Sequence, residues 1–414
     1  MHPQHISIQD YQYELPESRI ALHPLKKRDD SKLLIYKNGK IRETHFRNIV
    51  DSLPEQTLML FNNTKVINAR ILFKKESGGS IEIFCLEPRN HVQSYHTAME
   101  QVQGATWKCF VGNAAKWKNE ILKKEIEIEG KNITLFAELL QKEGDAYIIK
   151  FSWQPPEIHF AAIIENAGLV PLPPYIKRKT ELEDKSRYQT IFARNQGSVA
   201  APTASLHFTT SIVSAFPRKK IKSSFVTLHV GAGTFKPVKS NTLETHEMHA
   251  EYLDVDRQTI EELLAAPGDI AVAGTTSLRT LETLYWLGVK AADDLHTSEL
   301  ELHQWEVYEA PLVNTKISAR QSLQSLLQWM VLHNKNNLFT QTQLLIAPGY
   351  QFRLATILIT NFHQPQSTLL LLVAAAVGPV WKDLYQYALD HNFRFLSYGD
   401  ANLIFIDTKI NNDD

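Results

Sequence analysis

The chain has 414 residues, 43% hydrophobic and 21% charged, the balance of an ordinary globular protein with enough apolar side chains for a large core. A net charge of −1 excludes a protein that grips nucleic acid by overall basicity, so any such site must be local. Two cysteines, Cys85 and Cys109, are too few for a disulfide framework or a zinc knuckle and suit a reducing compartment. Residues Met1 to Asp10 lack a basic patch followed by an apolar run, and the longest apolar stretch, Leu369 to Val377, falls well short of the roughly 20 residues of a membrane span. The expectation is a cytoplasmic protein that does not enter the membrane.

In chain order, the first strand candidate is Leu58 to Phe61. From about Ile71 to Trp153 the sequence reads as short strands, Ser80 to Leu86, Thr106 to Val111, Lys124 to Ile128, Ile133 to Leu139 and Ala146 to Phe151, punctuated by turns such as Gly78-Gly79 and Glu129-Gly130. A helix follows over His159 to Asn166. Beyond it, strands Phe225 to Val230, Ile270 to Ala273, Thr356 to Thr360 and Asn402 to Ile406 alternate with helices Ser277 to Leu287 and Thr368 to Val377. The two grammars predict an α/β protein: a large mixed α/β domain, residues 1–70 and 157–414, interrupted by a small inserted β-barrel, residues 71–156.

Ligands of open α/β sheets bind beyond the carboxyl ends of strands, so the residues after each strand are the candidates for chemistry. His229 precedes Gly231-Ala232-Gly233-Thr234, where glycines allow positive φ and close approach of a ligand, or simply a tight bend. Gly274-Thr275-Thr276-Ser277 opens a helix; Thr275 or Thr276 can cap it, and the free N–H groups at such a start accept a carboxylate or phosphate. Arg279 stands in that first turn against the helix dipole, which a nearby anion would explain. Asn361 and His363 occupy a polar loop between two buried elements.

The segment Gly197 to Thr209 is rich in small residues and leaves room for a bulky ligand beside Thr203 and His207; a packed loop with a core histidine is the alternative. His246 and His249, ahead of Glu251, would share one face of a helix. Their spacing is not that of a zinc protease, so acid/base work is expected of them and no metal. Basic clusters lie at Lys26 to Arg28, at Lys177 to Lys179 with Arg187, and at Arg218 to Lys222.

These motifs, taken with Tyr13-Glu14-Leu15-Pro16, Leu60-Phe61-Asn62-Asn63-Thr64-Lys65, Pro173-Pro174-Tyr175-Ile176-Lys177-Arg178, Arg187-Tyr188-Gln189-Thr190 and Ser397-Tyr398-Gly399-Asp400-Ala401, resemble the S-adenosylmethionine:tRNA ribosyltransferase-isomerase family along nearly the whole chain. The resemblance implies that S-adenosylmethionine is a substrate and ribosyl donor, with no separate cofactor. The acceptor it implies is 7-aminomethyl-7-deazaguanine in a tRNA anticodon, giving epoxyqueuosine, adenine and methionine. It implies His207, His229, His246, His249 and His363 as the acid/base set. Thr203, Gly231, Gly233, Thr234, Asn361 and Thr275 to Ser277 with Arg279 would hold substrate. Tyr175 or Tyr188 would stack on a base, and Arg178 and Arg187 would contact the RNA backbone.

The chain departs from the family pattern at Gln343 and Thr356, where acidic residues are usual, and at Gln364 and Ser205. A catalytically altered or inactive tRNA-binding paralogue of the same fold is therefore the alternative, and an enzyme acting on a free nucleoside is a third reading.

Overall fold

The computed structural model describes residues 2–89, 95–118, 120–229, 231, 242–248 and 250–406. The chain begins with β1 (Lys32–Lys37), β2 (Lys40–His45), β3 (Leu58–Asn62) and a short β4 (Thr64–Val66). It then builds β5 (Arg70–Lys74), β6 (Ser80–Pro88), β7 (Gly104–Gly112), β8 (Leu122–Ile128), β9 (Lys131–Glu143), β10 (Ala146–Gln154) and β11 (Gly168–Leu169). After β12 (Asn195–Ser198) come β13 (Lys222–His229), β14 (Glu251–Asp256), β15 (Ile270–Ala273), β16 (Asn337–Thr342), β17 (Ile357–Asn361) and β18 (Ala401–Phe405).

Nine strands form one mixed sheet in the order β16-β14-β13-β3-β15-β17-β18-β1-β2. Its centre, β13, β3, β15 and β17, is parallel, so four carboxyl ends share one edge. Alternation along each strand feeds two cores. Leu34, Leu58, Leu60, Val272 and Leu358 face one, with the helices Thr275–Asp293, Ala319–Leu332 and Thr368–Val377. Leu33, Met59, Phe61, Ala271 and Ile359 face the other, with Phe46, Phe192 and Phe208. The hairpin β1–β2 turns on Asn38 (φ 50°) and Gly39 (φ 73°), the left-handed pair that a two-residue turn requires.

The helix Thr275–Asp293 is buried nearly all round, as are the apolar residues Leu370–Val377, so both are core helices. By length and hydropathy the stretch Thr368–Asp390 would suffice to cross a membrane, more than the sequence reading allowed it. The chain breaks it at Gly378 (φ 63°) and starts a second helix, Trp381–Asp390, whose Leu384 and Tyr385 return to the same core.

The second sheet is antiparallel, in the order β11-β5-β6-β7-β10-β9-β8. It curls into a half-barrel, and Lys124 on β8 donates to the Leu72 carbonyl on β5 (3.0 Å). Inward residues Ile81, Ile83, Cys85, Trp107, Leu135 and Phe151 fill it, and the helix Phe160–Ala167 closes it with Phe160 against Trp107 and Trp153. The sheet therefore draws on residues 70–169, wider than the predicted block.

Candidate active site

Three segments meet in a cleft at the carboxyl edge of the large sheet. The first follows β15. Gly274 (φ 99°) turns the chain into the helix Thr275–Asp293, and its N–H donates to the Ile359 carbonyl (2.8 Å), tying the turn to β17. The expected threonine cap does not form. Gly274 is the capping residue, without a side chain to use, and Thr275 and Thr276 lie inside the first turn on the cleft wall. Ser277 is fully buried away from the cleft and donates to the Ala273 carbonyl (2.8 Å). Among the described residues no side chain caps the helix, which leaves its first N–H groups for a ligand.

The second segment follows β17. Asn361, His363, Gln364 and Ser367 line the cleft, and the Ser367 hydroxyl caps the helix Thr368–Val377 at Leu370 N (3.2 Å). His363 is fixed from three sides. Its Nε2 lies 2.8 Å from Thr360 Oγ1, its N–H donates to Tyr385 (3.1 Å), and its carbonyl accepts from Tyr13. Burial pulls its pKa down to about 3, so the ring is neutral near pH 7.

The third segment is the turn Thr203–His207. Thr203 lines the cleft and donates to Asn361 Oδ1 (2.8 Å). His207 stands behind that wall, with Nε2 3.1 Å from Asn361 Nδ2, Nδ1 2.9 Å from Ser31 Oγ, and Phe46 against its ring. Burial pulls its pKa to about 4. The cleft wall is completed by Ala200, Ala201, Leu396 and Ser397, and by Tyr175, whose hydroxyl meets Ser397 Oγ at 2.5 Å and is pushed up to about 12 by burial. Among the described residues, the lining holds hydroxyl, amide and imidazole groups but no carboxylate, ammonium or guanidinium.

Several expected residues lie elsewhere. His229 ends β13 on the same sheet edge, outside the cleft lining, 3.3 Å from Thr64 Oγ1, with its pKa pulled to about 4 by burial. The sequence leads one to expect a helix that brings His246 and His249 to one face; residues 246–248 are not helical and Glu251 begins β14. His249, Gly233 and Thr234 lie outside the described residues, and Gly231 is half-buried.

Arg279 does have its anion, but it is the protein's own: the buried guanidinium is paired with Glu251, so it is not offered to substrate, and burial pulls its pKa to about 10. Arg178 is equally committed, with two 2.7 Å bonds to Asp184 and a third to the Leu22 carbonyl. Arg187 donates to the carbonyls of Leu25 and Lys26. Tyr188 is buried in a small apolar cluster with Tyr398, which leaves it no face for a nucleobase.

Ser31, Thr360 and Ser397 were not anticipated. Thr360 and Ser397 carried a signal, as members of the runs Ile359-Thr360-Asn361-Phe362-His363 and Ser397-Tyr398-Gly399-Asp400-Ala401. A Cβ at Gly399 would meet the Arg394 carbonyl oxygen at 2.5 Å, so that turn admits glycine alone.

The sequence model of a family described as queuosine biosynthesis protein matches residues 8–404. The S-adenosylmethionine:tRNA ribosyltransferase-isomerase of Vesicomyosocius okutanii is 33% identical over 402 residues, covering 96% of this chain and 97% of the relative. That of Magnetococcus marinus is 34% identical over 401 residues, covering 95% and 93%. The crystal structure of a Thermotoga maritima S-adenosylmethionine tRNA ribosyltransferase is 26% identical, covers 96% of this chain and all of that one, and superposes with a TM-score of 0.45.

Proposed function

Since the chain belongs to the queuosine biosynthesis family of S-adenosylmethionine:tRNA ribosyltransferase-isomerases, we propose that the cleft at the carboxyl edge of its large sheet is where that reaction takes place. The enzyme transfers and isomerises the ribosyl group of S-adenosylmethionine onto 7-aminomethyl-7-deazaguanine in the tRNA anticodon, releasing adenine and methionine. The observation that carries the location is convergence. An uncapped helix start, the Asn361–His363 loop and the Thr203 turn face one space, and among the described residues no side chain caps the helix start.

In this reading the N–H groups at Thr275 and Thr276 take the methionine carboxylate. The neutral His363 ring can accept a proton, whereas the one N–H it keeps is far too weakly acidic to serve as a general acid. Burial makes it a weaker base than free imidazole, so removal of a ribose C5′ proton depends on the acidity conferred by the adjacent sulfonium. Tyr175, half-buried at the cleft wall, offers a ring face to a base. Donor and acceptor both serve as substrates, and the chemistry calls for no further cofactor or metal.

The half-barrel is read as an inserted domain, because it has a core of its own; a cytoplasmic location goes with a tRNA substrate. RNA phosphates fall to lysines rather than to Arg178 and Arg187. Lys26, Lys27 and Lys179 flank those two arginines and keep exposed side chains, whereas Lys177 is paired with Glu17.

The deciding experiment incubates the chain with S-adenosylmethionine and tRNA, with or without the deazaguanine precursor, and measures adenine. Adenine is expected only with precursor-bearing tRNA. A folded chain that binds this tRNA yet releases none would instead be the inactive paralogue, and release with free nucleoside alone would give the third reading.

A further inference from the structure

Behind the cleft wall lies a chain of polar groups whose direction is fixed at both ends. Asn361 Nδ2 faces the Asp400 carbonyl at 3.5 Å, and a carbonyl can only accept, so the amide nitrogen belongs on that side and Oδ1 faces Thr203. The second hydrogen of Nδ2 then points at His207 Nε2, 3.1 Å away, which must be the bare, accepting nitrogen. The ring proton therefore sits on Nδ1 and is donated to Ser31 Oγ (2.9 Å), and Ser31 in turn donates to the Arg28 carbonyl (3.3 Å). Every donor in the series points away from the cleft: Thr203 to Asn361, Asn361 to His207, His207 to Ser31, Ser31 to Arg28.

We propose that His207 is a positioning residue which, through Asn361, commits the Thr203 hydroxyl proton to the interior and leaves Thr203 Oγ1 as an acceptor only, so that this wall selects a hydrogen-bond donor of the bound S-adenosylmethionine. The proposal rests on the cleft being the donor-substrate site. If the Asn361 amide were turned over, Nδ2 would face Thr203, its hydroxyl would be free to donate into the cleft, and the preference would be reversed. Ser31 donates to the Arg28 carbonyl and so accepts the His207 Nδ1 proton, which leaves Nε2 bare; an amide oxygen turned towards it, or towards the Asp400 carbonyl, would set two acceptors against each other. The residue thus acts on specificity without touching substrate.

Two measurements test it. Nitrogen-15 spectra of the histidine-labelled full chain at neutral pH, with His207 assigned through its backbone amide, should show a protonated Nδ1 and a bare Nε2. A protonated Nε2 overturns the proposal whatever the cleft binds. Calorimetry should then give Thr203→Ser an S-adenosylmethionine affinity near wild type and Thr203→Val a loss of about tenfold.

His207→Gln, whose amide can present either end to Asn361, should also weaken binding. The double variant should bind no more weakly than Thr203→Val alone, because both changes remove one interaction. Additive losses, or wild-type affinity in Thr203→Val, overturn it. Should His207→Gln fail to fold, the spectrum and the Thr203 pair still decide. Wild-type protein that binds no S-adenosylmethionine would remove the donor-site reading instead, and with it the role assigned to the series, even where the Nδ1 proton is found.

Discussion

Two polar clusters adjoin at Ser397 and Tyr398, the first residue lining the cleft and the second donating to Asp184, and they differ in what is left over. Around Asp184, every strong group is spent inside the cluster: Arg178 holds both carboxylate oxygens, the Glu181 N–H and Tyr398 hydroxyl complete it, and Arg178 also binds two backbone carbonyls. At the cleft, among the described residues, the helix start after Gly274 has no side-chain cap, and Thr203, whose hydroxyl donates to Asn361, lines open space with acceptor capacity unused. Both clusters drew functional expectations from sequence. Residue type is the same currency in each, so what separates a scaffold from a site is the hydrogen-bonding capacity that remains once the fold has taken its share.

The contrast can be broken most sharply at His363. His363→Ala should lower turnover by about 10²-fold to 10⁴-fold while the urea midpoint moves little, since among the described residues its side chain makes one bond, to Thr360. Wild-type turnover in the folded variant would remove His363 from the chemistry. The reverse pattern is expected at Arg178. Its removal strands a nearly buried Asp184 carboxylate, a change that costs on the order of 3–5 kcal/mol, and urea denaturation would read it. Where the variant remains folded, its affinity for S-adenosylmethionine should be that of wild type. If instead stability is unchanged and only tRNA binding falls, Arg178 is a phosphate contact and the comparison fails.

Much of this was legible because local rules and the fold agreed. The strands β3, β13, β15 and β17 carry β-branched and apolar runs, and polar residues follow each one, so the site edge could be read directly. The helix Ala319–Leu332 passed unnoticed although Ser318 and Gln321 form a complete capping box, a signal that was available. The Asn38-Gly39 hairpin was equally readable and equally missed.

What could not be read was partnership at long range. Nothing near Arg279 in sequence says that Glu251, on another strand, will neutralise it, and nothing near Arg178 says that Tyr398 will join its pair with Asp184. His246 to Glu251 has a helical spacing, but the residues from Glu251 pair as a strand with β13 and β16, and tertiary pairing outweighs so short a local pattern.

The smallest effect, and the one that sharpens the comparison furthest, is the order in which the two clusters fail in acid. His207, His229 and His363 lie at the site edge with pKa values pulled by burial to about 4, 4 and 3, against an ordinary value of 6.5. Below pH 6.5 the unfolded chain binds protons at these positions and the folded chain does not, so their stabilising contribution is complete above that pH and is lost as pH falls toward 4.

Asp400, which burial pushes upward despite its bonds to the Arg394 and Lys32 N–H groups, works in the opposite sense, as does the buried Glu282. The folded chain takes up those protons before an unfolded carboxylate would, so the net loss is smaller than the histidines alone would give. Asp184 differs again. Burial alone would raise it, but Arg178, the Glu181 N–H and Tyr398 together hold it below the ordinary carboxylate range, so its contribution persists until the pH drops under about 4. Backbone hydrogen exchange measured from pH 7 to pH 4, corrected for intrinsic rates, should therefore show protection fading first at the strand ends around Ala273 and Asn361 and later around Asp184. Simultaneous loss at both places would mean that the chain unfolds as one unit before the histidines can act separately, and an earlier loss at Asp184 would show that its ion pair, not the neutral imidazoles, is the acid-sensitive element.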